Sequence, residues 1–245
     1  MIKYGYLTLV LLLLSTGDLL GQARVPAWGG GADLNDLSFG FSFSYVSSYY
    51  KIDKKTNWRD PFFDTGTNRY ITDPLTGISS ANSPGFAIGF ITRYRITDHL
   101  ETRVNPSLVF SDRSLSYTYG DATKDVTKQV QATTIDFPLS IKLKSDRIQD
   151  FRAYILGGLK YSLAIGSKNQ DPNIDPLARL VKNVGGFGSY EAGLGCDIYF
   201  EFFKLSPEIK VSNSFGDMLI HDNQPYSSPI NKLGLHTVMF SLIFE

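Results

Sequence analysis

The stretch GGFGSYEAGLGCDIYFEFFKLSPEIKVSNSF, Gly185 to Phe215, decides the fold. From Tyr190 to Phe200 every second side chain is apolar: Tyr190, Ala192, Leu194, Cys196, Ile198 and Phe200. Between them stand Glu191, Gly193, Gly195, Asp197 and Tyr199. The alternation resumes with Leu205, Pro207, Ile209 and Val211 against Ser206, Glu208, Lys210 and Ser212. A period of two marks a strand whose faces meet different surroundings. Two such runs, with Phe202, Phe203 and Lys204 to turn on, predict an antiparallel hairpin.

The same pattern recurs along the chain. Strands are predicted at Leu37–Val46, Gly85–Ile96, from Leu100 onward, over Thr134–Lys144, over Arg152–Leu163 and at His236–Phe244. With the hairpin these make eight. In the third strand Leu100, Val104, Leu108 and Phe110 are even-numbered, whereas Leu115, Tyr117 and Tyr119 are odd. Either a bulge near Ser111–Ser114 or an exit from the membrane must intervene. Pro106, Pro138 and Pro207 fall inside predicted strands, where each removes a ladder donor; a bulge near the rim is the expected remedy. Residues Ser47–Ser83, Gly166–Gly186 and Gly216–Lys232 read as long loops. Within the second of these, DPLARLVK (Asp175–Lys182) has the make-up of a short helix.

Composition narrows the classes. The chain has 245 residues, 24 basic and 24 acidic, so no global field draws it to nucleic acid. Mean hydropathy is -0.10, a value equally natural for a soluble protein and for a barrel with alternate residues facing lipid. Cys196 is the single cysteine, which excludes an internal disulfide and a cysteine-based zinc site. The histidines, His99, His221 and His236, are scattered, and no metal or cofactor site is expected. Met1–Lys3 followed by the apolar run Tyr6–Leu14 has the form of a signal peptide, with cleavage expected after Gly21. The expected organisation is a signal peptide over 1–21, a periplasmic lead over 22–36, and a barrel over 37–245.

Alternation does not say which face is inside. A lipocalin-like barrel would turn the apolar face inward around a ligand. Connections after the second, fourth and sixth strands are short and the others long, the rhythm of outer-membrane barrels. The expected fold is therefore all-β: an eight-stranded antiparallel up-and-down transmembrane barrel in the outer membrane. An Arg or Lys facing lipid at the midplane costs about 2–4 kcal/mol, so the charged face must point inward. That assigns Arg93, Glu101, Arg103, Asp136, Lys142, Lys144, Arg152, Lys160, Glu191, Asp197, Glu201, Glu208 and Lys210 to the lumen. Eight strands leave an interior that side chains fill. A paired plug, not an open pore, is expected, and no small-molecule substrate. Trp58, Tyr49 and Tyr50 fit either an aromatic girdle, the default, or a binding surface, and Cys196 is assigned to the lipid face as a small apolar residue. No spacing singles out a serine nucleophile beside a histidine, so no catalytic residue is named.

The segments ETRVNPSLVFSDRSLSYTY, TIDFPLSIKLKS, FRAYILGGLKYSLAIG and YEAGLGCDIYFEFFKLSPEIKVSNSFGDML together resemble the PorT/SprT proteins of Bacteroidetes. The resemblance covers most of the chain beyond the signal peptide. Its most specific pieces are RVNPSLVFSDRSLSYTY and EAGLGCDIYFEFFKLSPEIK. It implies a non-enzymatic outer-membrane barrel of the type IX secretion and gliding-motility machinery, with secretion-machinery proteins and outer-membrane lipid as partners. It supplies no catalytic residues. A general small barrel for adhesion or envelope stability remains the alternative, and a lipid-modifying enzyme a third.

Overall fold

The computed structural model describes residues 35–165, 177, 179 and 181–245, the side chains of Gln131 and Ala132 excepted. The expected signal peptide, nearly all of the lead, and half of the helix expected at Asp175–Lys182 lie outside the described residues. Among the described residues twelve strands are present: β1 (Leu37–Lys54), β2 (Phe63–Asp64), β3 (Arg69–Tyr70), β4 (Leu75–Ser79), β5 (Ser83–Arg95), β6 (Leu100–Val104), β7 (Ser107–Tyr119), β8 (Val126–Lys144), β9 (Phe151–Ile165), β10 (Gly186–Tyr199), β11 (Lys204–Ser214) and β12 (Ile230–Phe244). All named pairings are antiparallel. Because β1 pairs with both β5 and β12, the sheet closes on itself. With β6 and β7 as two halves of one staggered strand, the ring is eight-stranded. Closure leaves no free edge within it.

The polar face is inside. On β1, Ser42, Ser44 and Ser48 are buried while Phe39, Phe41, Phe43 and Tyr45 face out. On β8, Lys142 is 1 % exposed and its neighbour Ile141 is 56 % exposed. A soluble barrel with a greasy core has the reverse arrangement, so the lipocalin-like alternative is excluded. Outward Phe86, Phe137, Leu159, Leu194 and Phe240 continue the apolar belt around the wall. Among the described residues no helix is long and apolar enough to cross a membrane, so any crossing is made by strands.

Several strands run further than the alternation of polarity suggested. β1 continues from Val46 to Lys54, and the stretch expected as a loop over 47–83 also holds β4 and the β2–β3 hairpin. The parity change in the third strand is no bulge. β7 pairs with β8 without a register shift from Ser107↔Asp136 to Tyr117↔Val126. Odd residues point inward throughout: Arg103, Val109, Ser111, Arg113, Leu115 and Tyr117 are all buried. What inverts is polarity. Beyond Arg113 the interior becomes apolar, and outward positions turn to Asp112, Ser114 and Ser116. The strand has left the membrane while remaining in the barrel.

The prolines are also accommodated without a bulge. Pairing of β6 with β8 stops at Val104↔Leu139 and resumes in the same register as Ser107↔Asp136. Pro106 and Pro138 therefore sit in one two-residue gap, on neighbouring strands. The carbonyls stay engaged, accepting from Phe90 N–H at 3.0 Å and Asn105 N–H at 3.4 Å respectively. Pro207 lies in a similar gap between Gly195↔Glu208 and Ile198↔Leu205, again in register. Confining two missing donors to one gap spares the rest of the ladder.

Candidate functional site

Inside the barrel, three layers follow one another from the short-turn end to the long-loop end. The first is ionic. Glu101 is its hub, 3.2 Å from Arg93, 3.2 Å from Lys142 and 2.8 Å from Lys144. Lys142 also reaches Asp197 at 2.9 Å, and Ser206 donates to that carboxylate at 2.6 Å. Arg103 pairs with Glu208, to which the Tyr154 hydroxyl donates at 3.0 Å. The Lys142 ammonium lies 3.8 Å from the centre of the Tyr154 ring. Gly195 makes this possible: a Cβ there would meet Pro207 O and Tyr154 Cζ, each at 2.6 Å.

The second layer is polar. Lys160 reaches Asp136 at 2.9 Å, and Lys210 sits 3.5 Å from Glu191 and 3.7 Å from Glu208. Ser44 and Ser241 share a hydrogen bond of 2.7 Å, and Ser48 and Ser111 one of 2.9 Å. The void among Ser44, Asn105, Lys160 and Glu191 holds about 10 Å³, about one water. Bases outnumber acids among the buried lumen residues. Neutral acceptors meet part of the surplus: Arg152 donates to the carbonyls of Ser145 (2.6 Å) and Asp98 (2.5 Å), and Arg113 to Ser48 (3.2 Å).

The third layer is apolar and lies above the belt. Tyr50, Leu115, Tyr117, Met218, Leu219, Tyr226, Ile230 and Leu233 form its centre, with Trp58 packed against it. The Tyr117 hydroxyl donates to Tyr226 O at 2.6 Å, and the two rings stand edge to face at 5.1 Å. Burial raises the Tyr117 phenol, in keeping with its role as a donor, and pushes Tyr119 up to about 12. The Asp217 carboxylate caps the loop between β11 and β12, accepting from Leu219 N–H (3.0 Å) and Leu233 N–H (2.8 Å) and meeting His221 at 2.7 Å. Beside this core, Ile71, Asp73, Tyr119, Val126, Leu177 and Tyr226 line a cleft of about 400 Å³.

The structure thus gathers Arg93, Glu101, Arg103, Asp136, Lys142, Lys144, Arg152, Lys160, Glu191, Asp197, Glu208 and Lys210 inside the barrel. Glu201 is a correction. β10 ends at Tyr199, so Glu201 sits in the turn 200–203, exposed. Lys204, expected in that turn, is instead fully buried and pairs with Glu245, which also lies 3.7 Å from Arg93. Parity could have found both. Lys204 keeps step with Ser206 and Glu208, and Glu245 with Ser241 and Ile243. The girdle assignment also divides. Tyr49 faces out, its ring 4.9 Å from that of His236, whereas Tyr50 and Trp58 belong to the apolar layer. Cys196 faces outward, partly exposed. His99 meets Asp146 at 2.8 Å across two short turns, and His236 meets Asn213 at 2.8 Å.

A family profile described as an outer membrane protein beta-barrel domain matches residues 32–219. No curated protein matches the chain. Among solved structures, the outer membrane protein OprG from Pseudomonas aeruginosa is similar, with a TM-score of 0.51 at 12 % identity, over 90 % of this chain and 97 % of that one. Neisserial surface protein A gives 0.42 at 7 % identity, over 85 % and 98 %. Outer membrane protein AlkL, solved in DMPC bilayers, gives 0.43 at 10 % identity, over 94 % of each chain. At these identities the likeness to OprG speaks to fold alone.

Proposed function

Because the chain belongs to the outer membrane protein beta-barrel domain family, we propose that it is a non-enzymatic component of a type IX secretion and gliding-motility machinery. In this role it works through protein contacts of its loops, turns or outer wall. The observation that carries this reading is the filled lumen. With ionic, polar and apolar layers stacked inside, the barrel has its periplasmic turns, external loops and wall left for contact. The resemblance to PorT/SprT proteins supplies the finer assignment. Its two most specific segments meet at the Arg103–Glu208 pair, which makes them scaffold and leaves recognition to the connections. Deleting the gene in its native host tests the proposal. Retention of secreted cargo in the periplasm, restored by the wild-type chain, is the expected result; normal secretion refutes it.

A second reading, a barrel that binds an external ligand, is favoured by the cleft between Tyr119 and Tyr226 at the long-loop end. Under it, deletion leaves secretion intact and abolishes a surface-binding phenotype.

A further inference from the structure

The outer wall carries a notch just above the apolar belt. Going up β12, the outward positions are Phe240, Val238, His236, Gly234 and Lys232; going up β1 they are Phe43, Tyr45, Ser47, Tyr49 and Lys51. The register sets Tyr49 beside His236 and Lys51 beside Gly234. Two residues along a strand span about 7 Å, and a bilayer's headgroup zone is about 5–7 Å deep on each side. The row of Lys51 and Gly234 therefore stands at headgroup level, one step above the Tyr49–His236 pair.

At that row the wall is indented. Lys51, Asp53, Tyr190, Asn213, Lys232 and Gly234 border a pocket of about 320 Å³. The Lys51 ammonium donates to Asn213 Oδ1 at 2.7 Å, which holds it across the pocket, and Asp53 is engaged by Asn231 Nδ2 at 2.8 Å. The indentation exists because residue 234 has no side chain: a Cβ there would have nothing nearer than Ser214 Oγ at 3.6 Å. Elsewhere on the collar, outward strand positions are neutral or acidic, among them Asp112, Ser114, Gln129 and Thr133. Among the described residues of the eight ring strands above the belt, outward cations are confined to Lys51 and Lys232; Arg69, exposed on β3, belongs to the hairpin in the first loop. Below the Tyr49–His236 pair lie Val211, Val238 and Phe240, apolar and exposed.

We propose that this notch binds the phosphorylated headgroup of an outer-leaflet lipid. The phosphate sits at Gly234 between the Lys51 and Lys232 ammoniums, and the acyl chains lie on the Val211–Val238–Phe240 strip. Ammonium–phosphate pairing is charge-assisted and tolerates a flexible point-charge donor. The proposal is independent of any role in secretion, because it is read on the purified protein.

The test uses the full chain folded in zwitterionic detergent and follows the backbone amide shifts of Lys51 and Asn213. Short-chain phosphatidic acid, phosphatidylcholine of the same chain length, and inorganic phosphate are titrated separately. Saturable shifts with phosphatidic acid alone are expected. The Lys51→Gln/Lys232→Gln double variant should bind about 30-fold more weakly, the equivalent of about 2 kcal/mol. Gly234→Leu, which keeps both charges and fills the notch, should abolish saturation. Unchanged electrophoretic mobility of the folded form certifies each variant. Equal binding of phosphatidylcholine, saturation by inorganic phosphate alone, or a double variant that binds like wild type overturns the assignment.

Discussion

Glu101 is the residue whose loss should be felt most. Its carboxylate is 0 % exposed and faces Arg93, Lys142 and Lys144 within 3.2 Å. Replacing it by Ala leaves three cations around a vacated site that water cannot reach freely. Removing one partner of a buried pair costs about 3–5 kcal/mol, most of it the penalty of the charge left behind. Three contacts do not treble that figure, since the cations have other partners. Lys142 keeps Asp197 at 2.9 Å, and Arg93 keeps Ser38 at 2.8 Å and Glu245 at 3.7 Å. The coupled network spreads the damage. We therefore expect Glu101→Ala to lower unfolding stability by about 3–5 kcal/mol, read by urea titration of the barrel refolded in detergent, with the linear slope held in common. Glu101→Gln should recover only a fraction, because it restores volume and hydrogen bonding but no charge. The loss should also change little with added salt, since buried charges are weakly screened. Glu201→Ala, in the exposed turn, is the control and should stay within about 0.5 kcal/mol of wild type. A Glu101→Ala barrel as stable as that control would refute the ionic-hub reasoning outright.

The remaining expectations concern the other layers. Gly195→Ala should cost about 1–3 kcal/mol through the clash with Tyr154, whereas Gly234→Ala, with its clearance of 3.6 Å, should be nearly neutral; paired urea titrations compare them. Tyr226→Ala removes the ring that packs edge to face on Tyr117 but keeps the backbone carbonyl that accepts from the Tyr117 hydroxyl, and should cost about 3–5 kcal/mol. Its readout is new protease cleavage in the external loops of intact cells, with the belt region still protected. Planar bilayers carrying the wild-type protein should show no steady conductance, and sustained open channels would falsify the filled-lumen picture. The Asp217 carboxyl is held below its ordinary 3.8 by the Leu219 and Leu233 amides and His221, against the opposing effect of burial. Its folded value being the lower one, it contributes stability to the β11–β12 loop above the unfolded carboxyl's range, and that contribution is lost as pH falls through the folded value. Hydrogen exchange at Leu219 and Leu233 should rise only at that acid end, and Asp217→Asn should flatten the dependence.

The barrel was legible in the sequence because its wall separates two media, so each strand writes the difference as a period of two. That code has two parts, parity and polarity, and they need not change together. Along β7 parity holds from Ser107 to Tyr119 while polarity inverts. Inside, Arg113 gives way to Leu115 and Tyr117; outside, Leu108 and Phe110 give way to Asp112 and Ser114. Reading polarity alone offers a bulge as readily as a membrane exit, and it ends β1 at Val46, where the outward residues stop being greasy. Lys204, Glu245 and Glu201 show the converse. Counting by twos recovers the first two, but it overshoots on the third, because nothing in the alternation says that β10 stops at Tyr199. The external apolar layer was the least visible. Met218, Leu219 and Tyr226 lie in a segment without period, and they are brought to Leu115 and Tyr117 by a loop folding back over the barrel mouth. A loop of that kind buries apolar groups through long-range contact, which leaves no local rhythm. Parity is therefore the datum that fixes which face a strand residue occupies, and polarity the datum that reports what surrounds that face at a given height. Only their disagreement locates the point where a strand leaves the lipid.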